Sequence, residues 1–182
     1  MIETERLFLR RWRETDREPL AALHADPLVM DWMGRGVMTQ AQSDAQMDRF
    51  DAHIGTNGFG LLATARKLDR RFLGFVGLSV VNHAPPAPQG VELVWYLLPE
   101  AWGFGYATEA ARAVMDDGFA RLKLQEIIAY TAAKNVRSQS VMRRIGLIRR
   151  PDIDFEHPAL AVDHPLRPHV VFSAARPTNI TN

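Results

Sequence analysis

The chain contains no cysteine among its 182 residues. Disulfides, thiolate metal sites and a cysteine nucleophile carrying a thioester are all excluded by that absence. Any acyl chemistry would pass directly from donor to acceptor or use another nucleophile. Neither sign of charge dominates: 22 Lys and Arg face 21 Asp and Glu, a formal net charge of +1. Such a balance gives no electrostatic reason to expect nucleic acid as the main partner, and a small or locally charged ligand fits better. Long apolar runs are missing too. None approaches the roughly 20 residues that span a bilayer, and the stretch from Met1 to Arg6 has no apolar signal region. The expectation is a cytoplasmic protein, monomer or homodimer, with no membrane or nucleic-acid partner, forming a single domain over residues 1–182.

What is present is a regular alternation of apolar segments and breakers. Leu7 and Leu9 alternate with Phe8 and Arg10, predicting a first strand over about Arg6 to Arg11. Leu20, Ala21 and Leu23 suggest a short helix, and Asp26-Pro27 opens another. Thr39 and Gln42 form a capping box ahead of Met47, Phe50 and Ile54 at helical spacing, and Thr56-Asn57-Gly58 stops that helix. Phe59 to Ala65 and Phe72 to Val81 read as a hairpin around the polar turn Lys67 to Arg71. A proline-rich loop, His83 to Gly90, is too short to link domains.

The middle of the chain carries the chemistry. Val91 to Leu98 is apolar on both faces except for Glu92, the pattern of a central strand holding one carboxylate in or beside the core. It runs into Trp102-Gly103-Phe104-Gly105-Tyr106-Ala107-Thr108, and an amphipathic stripe then marks a helix over Thr108 to Arg121. A glycine turn between strand and helix presents unobstructed backbone N–H groups at the positive end of the helix dipole, a setting that favours phosphate. The spacing lacks the third small residue of a dinucleotide fingerprint, and the sequence has no Gly-Lys-Ser/Thr nucleotide loop. Glu126 to Thr131 predicts another strand, Asn135 to Ile145 a helix closed by Gly146, and His169 to Ser173 a last strand.

At these residues the sequence resembles a known family. The run from Trp102 to Ala110 is similar to the coenzyme A pyrophosphate loop of GNAT-type N-acetyltransferases, in the branch that includes the ribosomal-protein N-terminal acetyltransferases. Glu3 to Arg10, the Leu73-Gly74-Phe75-Val76-Gly77-Leu78 strand and the series Asn135, Ser138, Val141, Met142, Arg144, Gly146 and Leu147 occur in the family's order. The resemblance implies an α/β fold with a mixed, mostly antiparallel sheet of six or seven strands, splayed at its centre and flanked by helices. It implies an acetyl-coenzyme A-dependent N-acetyltransferase with no metal, passing acetyl directly to a primary amine in a ternary complex. Backbone amides from Trp102, Gly103, Phe104, Gly105, Tyr106 and Ala107 would hold the pyrophosphate with Thr108 close by. Tyr96, Leu97 and Leu98 would pair with the pantetheine arm, Asn135 would hydrogen-bond it, and an N–H near Leu97 would polarise the acetyl carbonyl.

Two positions depart from the family. Many relatives have a proton-donating Tyr seven residues after the Asn, where this chain has Met142, and Gly at a strand bulge where it has Val94. The catalytic candidates that remain are Glu92 and Ser138. Glu92 is either the base that deprotonates the amine or a carboxylate paired with an arginine. Ser138 is either the thiolate's proton donor or a helix cap. Glu109, in the first helical turn, reads as structural. The segment His157 to His169, with its acids and intervening prolines, reads as a loop near the acceptor cleft rather than a metal site. Arg143, Arg144, Arg149 and Arg150 are either contacts to the coenzyme's 3′-phosphate or solvated surface cations. A protein N-terminus, an amino acid, a polyamine and an antibiotic amine all remain open as acceptor. A non-catalytic acyl-coenzyme A sensor is the alternative, favoured by Met142 and Val94.

Overall fold

A computed structural model describes residues 1–34, 36–81, 83 and 85–177. In chain order its elements are β1 (Ile2–Glu3), β2 (Leu7–Arg10), α1 (Arg17–Ala25), α2 (Pro27–Met30), α3 (Gln40–Asn57), β3 (Leu61–Arg66), β4 (Phe72–Val80) and β5 (Val91–Leu97). There follow α4 (Tyr106–Ala120), β6 (Glu126–Ala132), α5 (Val136–Arg144), β7 (Ile148–Arg149), β8 (Phe155–Glu156) and β9 (Pro168–Ala175). Local chemistry sets the helix starts. Asp26 accepts from the Leu28 N–H at 2.9 Å ahead of α2, and Thr39 and Gln42 form the reciprocal capping box of α3.

One mixed sheet runs in the order β1-β2-β3-β4-β5-β6-β9-β7, with β8 also on β9. Nine strands are described where six or seven were expected; the extra ones, β1, β7 and β8, have two residues each, too short to show a period of two. Every pairing is antiparallel except β5 with β6. That parallel contact is confined to Glu92 opposite Ile128, whereas β6 pairs with β9 at seven positions. The sheet therefore opens beyond Glu92, between the remainder of β5 and β6.

Two apolar cores lie on opposite faces. Leu93, Leu97, Ala110, Val114, Ile127 and Met142 belong to the one beneath α4 and α5, and Leu20, Met47, Phe72 and Phe75 to the one beneath α1 and α3. Strand β5 feeds both, as period-2 alternation demands: Val91, Leu93, Trp95 and Leu97 pack toward α4, and Val94 and Tyr96 toward α3. Strand β4 comes close to its neighbours because of its glycines. A Cβ at Gly77 would lie 2.0 Å from the Gly60 carbonyl oxygen, and one at Gly74 2.1 Å from that of Tyr96. No helix among the described residues is long and apolar enough to cross a membrane.

Candidate active site

The opening between β5 and β6 leads into a cavity of about 720 Å³ with two arms. One arm is bounded by Trp102, Gly103, Gly105 and Thr108 at the start of α4 and by Asn135, Ser138 and Arg144 of the α5 region; the other is bounded by side chains under α1 to α3. Glu92, Val94, Trp95, Tyr96 and Leu97 lie along the divide.

The first arm is mostly main chain. Gly103 and Gly105 stand at φ 82° and 81°, in the left-handed region that favours glycine. They turn the chain so that α4 begins with its amides exposed. Glu109 is the first residue of α4 whose N–H bonds back into the turn, to the Gly105 carbonyl at 3.0 Å, so the N–H groups of Tyr106, Ala107 and Thr108 have no intrahelical acceptor. Nothing lies within 4 Å of where a Gly103 Cβ would be. Trp102 differs from expectation: its amide is spent on the Pro99 carbonyl at 3.0 Å, and its indole N–H donates to the Leu97 carbonyl at 2.8 Å. Its ring lines the arm with the Arg137 guanidinium 5.1 Å above it. Phe104 is 61% exposed, and its carbonyl accepts from Arg6 at 3.0 Å; it contributes main chain alone.

Glu109 ties this loop to the N-terminal strands. It accepts from Thr4 Oγ1, the Arg6 N–H and Arg6 Nε. Burial alone would raise its pKa, but these hydrogen bonds and the Arg6 charge outweigh that and hold it below the usual carboxylate value. The structural reading of Glu109 stands.

Along the divide, ladder geometry decides which main-chain groups are free. The Leu98 N–H donates to the Leu73 carbonyl at 2.8 Å and the Val81 N–H to Gly90. The register between β4 and β5 is continuous from Val91 to Leu97, so Glu92, Val94 and Tyr96 spend their backbone groups on β4, and those of Leu93, Trp95 and Leu97 point away from it, the Leu97 carbonyl already accepting from the Trp102 indole. Leu97 thus aims its N–H at the opening. Leu98 does not: its amide is taken, and its side chain packs in the α3-side core. The same continuous register shows that β5 carries no bulge at Val94; the irregularity of this sheet lies instead at Thr64 and Ala65 of β3.

Asn135 caps α5, its side-chain oxygen accepting from the Ser138 N–H at 3.2 Å. The cap is therefore Asn135 and not Ser138, whose hydroxyl has no hydrogen-bond partner among the described residues and lines the cavity. Met142 is 1% exposed, a core side chain with no proton to give. Of the four arginines considered, Arg144 alone reaches the cavity. Arg149 pairs with Asp154, Arg150 with Asp152 and Glu126, and Arg143 bonds Gln139.

Side chains from distant segments build the second arm. Phe50 and Phe75 have ring centroids 5.2 Å apart, and Phe75 and Tyr96 5.3 Å. Buried His24 bonds Ser43 Oγ at 2.9 Å and meets Phe75 edge-on, and desolvation lowers its pKa to about 4. Also lining the cavity, His83, His157 and His169 meet, with centroids 4.5 Å and 4.8 Å apart, against Phe155 and Tyr130. Burial lowers the pKa of His169, and its Nδ1 faces the Arg167 carbonyl at 3.0 Å, so Nδ1 carries the proton. His24, His83 and Tyr130 were not anticipated from sequence. His164 stays outside the cavity, its Nδ1 accepting from the Leu166 N–H, and among the described residues no group of three or more His, Asp or Glu is placed to hold a metal ion.

Known proteins share this architecture and sequence. A family model described as an acetyltransferase (GNAT) domain matches residues 6–148. The chain is 28% identical over 148 residues, 81% of its length and 82% of the relative's, to an uncharacterized N-acetyltransferase, YnaD, of Bacillus subtilis. Among solved structures, a GNAT-family acetyltransferase from Bacillus anthracis superposes with a TM-score of 0.78 at 23% identity, covering 96% of this chain and 98% of the other. A ribosomal-protein-S5-alanine acetyltransferase from Vibrio fischeri superposes with a TM-score of 0.76 at 17% identity, covering 96% and 95%.

Proposed function

The chain belongs to the GNAT acetyltransferase family and is an N-acetyltransferase, and from that premise we propose that it binds acetyl-coenzyme A in the first arm and passes the acetyl group directly to a primary amine in the second. The observation that carries this reading is the opening beyond Glu92, which joins the amide-rich loop before α4 to the acceptor side through one continuous cavity. The residues present suit the cosubstrate. Pyrophosphate would sit on the amides from Gly103 to Thr108 at the positive end of α4. The pantetheine arm would pair with the inward-facing main chain of Trp95 as a false strand, and the Asn135 amide N–H groups would hold it from the α5 side. Arg137 and Arg144 supply the positive charge that suits phosphate.

The absence of cysteine favours direct transfer. The neutral amine nitrogen attacks the thioester carbon, the carbonyl oxygen gains charge toward the Leu97 N–H, and the C–S bond breaks to release a thiolate. Glu92, half-buried on the acceptor side of β5, takes the proton lost by the amine. Ser138, or a water beside it, returns a proton to the thiolate, the role Met142 cannot fill. Purified protein supplied with acetyl-coenzyme A and a panel of amines should release free thiol only when an acceptor is present and should yield the acetylated amine by mass spectrometry. Coenzyme binding with no turnover on any amine would overturn direct transfer, and failure to bind the coenzyme would remove the whole reading.

A further inference from the structure

We propose that the acceptor is a primary amine bearing a single positive charge on an apolar, preferably aromatic, body, and not a polyamine, an aminoglycoside or a basic peptide. The inference rests on the transferase reading and extends it to substrate class. Its first ground is the charge inventory. Among the described residues that line the cavity, Glu92 is the one carboxylate, while the remaining charged side chains there, Arg137 and Arg144, are cationic and belong to the coenzyme arm. One ammonium finds a counter-charge, and a second or third buried in this arm would have none, at a desolvation cost the protein does not offset.

The second ground is the wall against which the rest of the acceptor would lie. Trp32, Met38, Phe50, Phe75, Tyr96 and Leu160 face the arm, and Phe50, Phe75 and Tyr96 form one run of ring contacts. Glu92 precedes Val94 and Tyr96 on the same face of β5, so the carboxylate stands at one end of that run. His24, neutral at ordinary pH, adds no charge. A third ground is the edge of this wall: Trp32, which lines the cavity, is also 37% exposed. With Val29, Met33 and Met38, which line the cavity beside it, Trp32 gives an apolar edge suited to an apolar body and poorly suited to a hydrated polycation.

The test is binding, so that it does not depend on turnover. With the protein saturated by coenzyme A, calorimetry compares phenethylamine and tryptamine with hexylamine, spermidine, an aminoglycoside and an alanine-led basic peptide. The aromatic monoamines should bind at least about tenfold more tightly than spermidine, the aminoglycoside or the peptide, with hexylamine between. Trp32→Ala should erase the advantage of the aromatic monoamines over hexylamine, and Trp32→Phe restore it. Equal or tighter binding of a polycation, no binding of any monoamine, or an aromatic advantage over hexylamine that Trp32→Ala leaves intact would each overturn the proposal. A monoamine preference without acetyl transfer would overturn the transferase reading and leave the recognition reading standing.

Discussion

The arm proposed for the coenzyme draws its polar groups from one stretch of chain, Trp95 to Arg144, and largely from backbone. The acceptor arm takes side chains from α1, α3, β4, β5 and the segments around residues 32, 83, 157 and 169. The first arm can be built by any sequence that turns with glycines and then starts a helix, so its geometry is robust to side-chain change. The second exists only after the sheet has brought remote segments together, and each side chain in it can alter what is bound.

The sharpest way to break the comparison is at the divide. Glu92→Gln should lower kcat/KM on the order of 10²- to 10⁴-fold, the usual worth of a positioned base, while leaving the calorimetric affinity for acetyl-coenzyme A unchanged. A matching loss of coenzyme affinity would show that the two arms are not separable at this residue.

Acid should separate the arms next. The pKa of His24 is lowered to about 4 by burial, against roughly 6.5 in an unfolded chain. The unfolded state therefore takes up the proton first. The contribution of the neutral ring is complete above about pH 6.5 and is lost as pH falls toward 4, amounting to roughly 3 kcal/mol at about 1.4 kcal/mol per unit. Urea unfolding across that window should show a steeper loss for the wild type than for His24→Gln, which keeps a hydrogen-bonding group beside Ser43. Parallel curves would place the acid sensitivity elsewhere.

The coenzyme arm is tested by backbone alone. Gly105 has φ 81°, a region that costs an L-residue about 1–2 kcal/mol and a β-branched one more. Gly105→Val should weaken coenzyme A binding by roughly 10- to 100-fold while leaving the monoamine affinity of the acceptor arm in place.

These contrasts also explain what could be read from the sequence. The glycine turn, the helix after it and the Asn135 cap are local, so a few adjacent residues announce them. The lone carboxylate on an apolar strand was legible for the same reason, since Glu92 stands out from its neighbours. The meeting of His83 with His157 and His169 was not, because about seventy residues separate His83 from His157, and the pairing of β8 with β9 joins only the latter two. The missing bulge at Val94 was half legible: the valine was visible, but that it keeps the ladder in register is a property of β4 as much as of β5. Leu98 and the Trp102 amide were miscounted for a related reason, as their hydrogen bonds are fixed by the turn of residues 99–101 and by Leu73.

Ser138 sits where the comparison is finest, on the coenzyme side yet offering a side chain. Its backbone N–H is held by Asn135 at 3.2 Å, so removing the hydroxyl leaves the cap and the helix intact. Ser138→Ala should therefore fold and bind coenzyme as the wild type does. If the hydroxyl protonates the thiolate, kcat should fall by up to about tenfold, a modest effect because a water can take its place. The loss should shrink for a thioester whose leaving thiol is more acidic, since a better leaving group needs less help. An equal loss for both thioesters would make Ser138 a contact to the coenzyme, and a loss confined to the poorer leaving group would make it the acid.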